Sequence, residues 1–264
     1  MRTSETAANF GPTYLNRYCT PPAASTLLFM HLTKTAGGTL KESFRSAVPA
    51  DQIEFYYPAE PGFTSPSAYD PNLAVIFGHF IFGIHERVSP DARYACILRD
   101  PVSRHLSHYF HLRNFDHSRV GNAARDSNSF VDYIHKHKRW EFDNFYVRLL
   151  SGVAEKVPFG KIGEPELRSA LDNLRNRFVF VGLFDAFPDV VAALGRYMSR
   201  ELVIGETINQ GRGGVISIDD KLLAAKISAY DLALYRAARD IFDWDGTALH
   251  GSRDAARSPA GQQR

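Results

Sequence analysis

LLFMHLTKTAGGTL, residues 27–40, carries the first decision about this chain. Its head, LLFMHL (27–32), has the length and composition of a buried strand, and the next stretch to Thr39 is a turn of small and polar residues. A helical pattern follows from about Thr39 to Ala47. Three more strand-sized runs repeat the theme: LAVIFG (73–78), YACILR (94–99) and FVFVGL (178–183). Helical patterns lie between and after them. One opens at Pro101, a residue tolerated in a first helical turn, and others span about 128–138, 142–151, 165–176, 188–199 and 219–242. Strands spaced by helices predict an α/β fold, a single domain whose central, mainly parallel sheet is flanked by helices. Ligands of such sheets bind at the carboxyl ends of the strands. The turn after LLFMHL is one such end.

Composition narrows the function classes. Of 264 residues, 44% are hydrophobic and 23% charged, enough for one well-filled domain. A chain of this size buries roughly 70–75% of its unfolded surface and needs no disulfide or metal staple. Lys+Arg 31 against Asp+Glu 29 leaves +2, which lacks the basic excess of a nucleic-acid binder. Cys19 and Cys96 make neither a disulfide framework nor a metal pair. No apolar run approaches the ~20 residues of a membrane span, and the first residues lack the apolar core of a secretory signal. A cytoplasmic location is the expectation. The organisation expected is an irregular lead-in over 1–24, the folded domain over 25–246 and a flexible tail over 247–264, with a loose Pro- and Ser-rich stretch at 57–72.

The first turn has the chemistry of an anion cradle. In Thr33-Lys34-Thr35-Ala36-Gly37-Gly38-Thr39 the small residues let backbone N–H groups close on an oxyanion, and the following helix adds its positive end. Lys34 supplies a full charge, and Thr35 and Thr39 supply hydroxyls. Its lysine precedes the glycines, whereas a Walker A loop places it after the second one, so the turn is no ordinary ATP loop.

A second strand end, YACILRDPVSRHLSHYF (94–110), puts Arg99 at the sheet edge and Ser107 two turns into a helix. Either the guanidinium and hydroxyl hold a second phosphate, or Arg99 pairs within the protein and Ser107 is a neutral surface residue. Two anion-sized sites on two strand–helix units suit one ligand phosphorylated at both ends.

These two segments resemble the 3′-phosphoadenosine 5′-phosphosulfate (PAPS) dependent carbohydrate sulfotransferases, especially the branch related to heparan sulfate 2-O-sulfotransferase. HLTKTAGGT is similar to that family's 5′-phosphosulfate loop, with Thr33 in place of the usual Pro and Gly38 in place of a hydroxyl residue. Arg99, Asp100, Pro101, Arg104, Ser107 and Tyr109 match its 3′-phosphate motif. The resemblance implies a sulfotransferase fold, PAPS as cosubstrate, adenosine 3′,5′-bisphosphate as product, a hydroxyl-bearing glycan as acceptor and no metal. It implies that Lys34, Thr35, Ala36, Gly37, Gly38 and Thr39 hold the 5′ end, with Lys34 also catalytic, and that Arg99 and Ser107 hold the 3′-phosphate. Arg212, in the GRGG segment at 211–214, either reaches that phosphate or lies on a plain surface loop. Without a membrane anchor the chain looks like bacterial soluble members rather than Golgi-resident ones.

Sulfonate transfer needs a base for the acceptor hydroxyl. His79 leaves the strand LAVIF at the sheet edge, and by resemblance to the Gly-His of the heparan sulfate enzyme it is the expected base; a strand-capping histidine without chemistry is the other reading. His31 is expected to pack against or orient the loop, and His85 to lie on the acceptor side. His105, His108 and His111 step along one helix, as a surface or acceptor-facing set rather than a metal site. Asn144 and Arg148 are expected to be structural. Two alternatives stand: a nucleotide kinase using Asp100 for Mg²⁺, and a non-catalytic nucleotide- or glycan-binding module.

Overall fold

In a computed structural model, which describes residues 11–19, 25–57, 70, 72–205 and 214–245, five parallel strands run in the order β2-β3-β1-β4-β5. They are β1 (Leu27–Met30), β2 (Ile53–Tyr56), β3 (Val75–Gly78), β4 (Arg93–Leu98) and β5 (Phe178–Leu183). Burial on both faces explains the continuous apolar runs: Leu28, Met30, Val75, Phe77, Ala95, Cys96 and Phe180 are all shielded from water. The fold is α/β, a single domain with helices flanking a central parallel sheet. Because β1 sits in the middle, its neighbours β3 and β4 deliver their carboxyl ends to either side of the first turn.

Strand β2 was not foreseen. It is four residues long, carries Glu54 and runs straight into the loose segment, so its apolar signal is weak. Gly78 permits its close approach, since a Cβ there would stand 1.8 Å from the Tyr56 carbonyl oxygen. Of the loose stretch, 58–69 and 71 lie outside the described residues, as do 1–10, 20–24, 206–213, which include Arg212, and 246–264.

The helices that matter for the site are α1 (Gly37–Ala47), α2 (His85–Val88), α3 (Pro101–Phe115), α4 (Arg119–Arg125), α5 (Phe130–His137), α6 (Phe145–Ser151), α7 (Glu164–Arg177), α8 (Phe187–Met198), α9 (Ile218–Ile227) and α10 (Ala229–Ile241). The single helix expected over 219–242 is two. Ser228 interrupts it, and the Asn144 side-chain oxygen accepts hydrogen bonds from the freed Tyr230 and Asp231 N–H groups at 2.9 and 3.3 Å. In return Asp231 accepts from the first N–H groups of α6, Tyr146 at 3.1 Å and Val147 at 2.9 Å. Each helix start is capped by the other chain segment.

Residues 11–19 form no regular element, yet they close the outer side of β5. Leu15 bridges Phe180, Tyr14 is buried against that ring, and the Asn16 amide donates to the carbonyls of Leu174, Arg175 and Phe178. That arrangement covers an edge that would otherwise be open. Among the described residues no helix is long and apolar enough to cross a membrane.

Candidate active site

The first turn closes tightly. Lys34 and Ala36 both take positive φ, 75° and 60°, a conformation that side chains adopt only where their surroundings enforce it. Ala36 then heads α1 without any side-chain cap. The first intrahelical bond is Leu40 N–H to the Ala36 carbonyl at 3.0 Å, so the N–H groups of Gly37, Gly38 and Thr39 belong to the uncapped first turn. Thr35 is buried and its hydroxyl donates to the Leu32 carbonyl at 2.6 Å. It therefore braces the turn, and what it offers a ligand is its backbone N–H rather than the hydroxyl donor expected from the sequence. Thr39 is buried inside the first turn, and Gly38 is exposed.

Gly37 has a further role. A Cβ on it would lie 1.5 Å from His31 Nε2, so the imidazole rests on this backbone as expected of a loop-orienting residue. His31 Nδ1 and Tyr57 Oη are hydrogen bonded at 2.8 Å, which ties the loop to the end of β2.

Arg99 leaves β4 beside this turn. Its backbone is clamped by Tyr146, whose hydroxyl donates to the Arg99 carbonyl at 2.9 Å and accepts from its N–H at 3.1 Å. The guanidinium lies over Phe184 at 4.5 Å and donates to the Lys34 carbonyl at 3.3 Å. Arg104 is fully buried beneath them, 3.6 Å over Phe145, donating to Thr33 Oγ1 at 2.5 Å and to the Glu141 carbonyl at 2.6 Å. The structure thus gives Arg104 a bracing part that motif matching alone did not assign. Ser107 is half-buried on α3. Asp100 accepts from Ser103 N–H at 2.8 Å and caps α3.

Among the described residues Lys34, Arg99 and Arg104 make no ion pair. Burial, followed by the Arg99 and Arg104 charges, lowers the Lys34 ammonium to about 8. Burial lowers Arg104 to about 10 and Arg99 in the same direction. Lys34 and Arg99, held close together without an ion-pair partner, make this strand end attractive to an anion.

His79 stands on the other side of β1. Its N–H donates to the Tyr56 carbonyl at 2.9 Å, and its ring packs 4.6 Å from that of His31 and 4.8 Å from that of Tyr57. Burial, with a smaller push from Lys41, lowers its imidazole to about 4, and burial lowers His31 to about 3. Both rings are neutral at pH 7. His79 Nε2 is buried and unpartnered. The His79 residue lines a cleft of about 710 Å³ together with Thr33, Tyr56, Phe82, His108 and Trp140.

The other histidines divide. His85 hydrogen bonds Tyr94 Oη at 2.9 Å and is buried rather than turned to an acceptor, as the sequence had suggested. His105 is buried edge-on to Phe142, His108 lines the cleft, and His111 packs near Phe115. Among the described residues no group of three or more His, Cys, Asp or Glu is placed to hold a metal. Arg148 is fully buried in contacts to Asp143 and to the carbonyls of Ala154, Val157 and Pro158, a structural role like that of Asn144. Among the aromatics near the site, Tyr56, Phe80, Phe82 and Trp140 line the cleft, while Phe55 and Tyr57 pack under Lys41. Tyr69 is outside the described residues.

No protein-family model matches the chain, and no curated protein sequence does. In structure it is similar to mouse sulfotransferase SULT7A1 complexed with PAP, at a TM-score of 0.41 and 11% identity over 81% of this chain and 67% of that one.

Proposed function

We propose that the chain is a sulfotransferase. It moves the sulfonate of PAPS to a hydroxyl of a carbohydrate or glycoconjugate and releases adenosine 3′,5′-bisphosphate. One observation carries the reading. The Arg99 guanidinium donates to the Lys34 carbonyl, so residues of two separate strand–helix units adjoin, which suits one ligand phosphorylated at both ends.

In this reading the uncapped N–H groups of Gly37, Gly38 and Thr39, with the turn through Thr35 and Ala36, hold the 5′-phosphate oxygens. Lys34 offsets the charge that grows on the leaving phosphate oxygen as the sulfur–oxygen bond breaks. Arg99 and Ser107 hold the 3′-phosphate, with Arg212 as a further candidate. Neutral His79, which lines the cleft and whose buried Nε2 has no partner, takes the proton of the acceptor hydroxyl as its oxygen bonds to sulfur in line. The chemistry needs no metal.

The test is a thermal-shift panel of adenosine 3′,5′-bisphosphate, ADP and ATP, each with and without Mg²⁺. Adenosine 3′,5′-bisphosphate at 100 times its dissociation constant should stabilise the protein by about 2.7 kcal/mol independently of Mg²⁺. A preference for ATP with Mg²⁺ would remove the reading.

A further inference from the structure

The 710 Å³ cleft differs in chemistry from the cationic mouth beside it. Three residues that line it carry buried polar atoms without partners: His79 Nε2, His108 Nδ1 and Glu141 Oε2. They come from three places in the chain, the end of β3, the middle of α3 and the 3₁₀ turn Trp140–Phe142. A buried polar atom left unpaired costs about 1–3 kcal/mol, so three on residues that line one cleft are groups that a ligand there would pair once their side chains turn toward it. Trp140 and Phe145 line the same cleft with near-parallel rings, 6.1 Å apart and 21° inclined. The charges on the lining are Glu86, Glu141 and Glu155 against Arg87 and Lys156, with no positive excess.

We propose that the acceptor is an uncharged saccharide: its ring lies on the Trp140 side, the hydroxyl to be sulfated meets His79, and neighbouring hydroxyls pair with His108 and Glu141, which set acceptor specificity. The proposal rests on the sulfotransferase reading above. Each alternative acceptor leaves something unmet. A polyanionic glycan would bring its charges to a lining with more carboxylates than cations. A phenol or aliphatic alcohol would satisfy His79 and leave His108 Nδ1 and Glu141 Oε2 unpaired. A sugar supplies several hydroxyls on a flat apolar body, and both are used. Glu141 is suited to the task because its other oxygen is held by Arg139, which fixes the carboxylate. Burial and the Arg104 and Lys34 charges keep the His108 imidazole neutral, able to accept or donate according to its tautomer.

The experiment measures sulfonate transfer from labelled PAPS by the full chain to three probe sets: methyl hexopyranosides with neutral oligosaccharides, 4-nitrophenol, and a heparan-type polyanion. The neutral saccharides are expected to be the best acceptors. Glu141→Gln and His108→Phe should each raise the saccharide KM at least tenfold, with a much smaller change in kcat and unaltered affinity for adenosine 3′,5′-bisphosphate. His108→Asn, which restores a polar atom near Nδ1, should recover most of the loss. Sulfation of the phenol or the polyanion in preference to every neutral saccharide overturns the proposal, as does no transfer to any saccharide, or an unchanged saccharide KM in both Glu141→Gln and His108→Phe. If adenosine 3′,5′-bisphosphate itself does not bind, the sulfotransferase reading fails instead.

Discussion

In the proposed reaction Lys34 and His79 have opposite protonation demands. Lys34 would act as a cation, and with its ammonium lowered to about 8 it loses charge as pH rises through that value. Affinity for adenosine 3′,5′-bisphosphate should therefore be level near neutrality and weaken above about pH 8. Lys34→Arg, whose charge persists, should remove the decline, as titration calorimetry at pH 7 and 9 would show. The proposed base His79 must be neutral, and since its imidazole is lowered to about 4 it is already deprotonated at pH 7. His79→Ala should cut turnover by roughly 10²–10⁴-fold while nucleotide affinity stays within about twofold in the same calorimeter. Retained turnover would assign the base elsewhere. The places of Lys34 and His79 at strand ends were legible in the sequence, because LTKTAGG and GH each sit at the end of an apolar strand. The bracing role of Arg104 and the cleft positions of His108 and Glu141 were not. They depend on where α3 meets the turn at 140–142, about 35 residues away in the chain, and no local spacing encodes that meeting.

At the scale of elements, strands longer than four residues or strongly apolar announced themselves, and β2 with its central Glu54 did not. The α9–α10 break was hidden for a different reason. Ser228 is a mild helix former, and what ends the helix is Asn144, which lies far away in sequence and accepts from the first N–H groups of α10. Asp231 returns the favour to α6, the helix whose Tyr146 clamps Arg99. Asp231→Ala would strand two buried N–H groups at about 1–3 kcal/mol each. We expect the midpoint of thermal unfolding to drop by on the order of 10 °C. The mutant should also lose nucleotide affinity, since α6 holds the Arg99 backbone. A drop in stability with full affinity would mean that Arg99 does not depend on that clamp.

Across the whole molecule, buried neutral histidines set the acid limit. His31, His79, His105 and His108 all have imidazoles lowered by burial, to about 3, about 4, about 3 and well below the ordinary range respectively. An unfolded histidine takes a proton below about 6.5, so as pH falls from there toward 4 the unfolded chain gains protons that the fold refuses. Stability must fall over that window, His79 alone accounting for on the order of 3 kcal/mol. Asp231 opposes this, because burial raises its carboxyl to about 7 and the folded chain takes up that proton first. One carboxyl does not offset four imidazoles. Urea unfolding should give a lower stability at pH 4.5 than at pH 7, with His105→Phe flattening the difference.

The whole account depends on one mouth that grips a nucleotide at both ends, and the most direct measurement separates those ends. Titrate wild type, Lys34→Ala and Arg99→Ala with adenosine 3′,5′-bisphosphate and with adenosine 5′-monophosphate, which lacks the 3′-phosphate. Arg99→Ala should lose about 1.5–3 kcal/mol of affinity for the bisphosphate, the worth of a hydrogen bond to a charged group, and nothing for the monophosphate, whereas Lys34→Ala should weaken both alike. Equal losses for both nucleotides in Arg99→Ala, or no loss for either, would contradict the assignment of the two cations to opposite ends of one ligand.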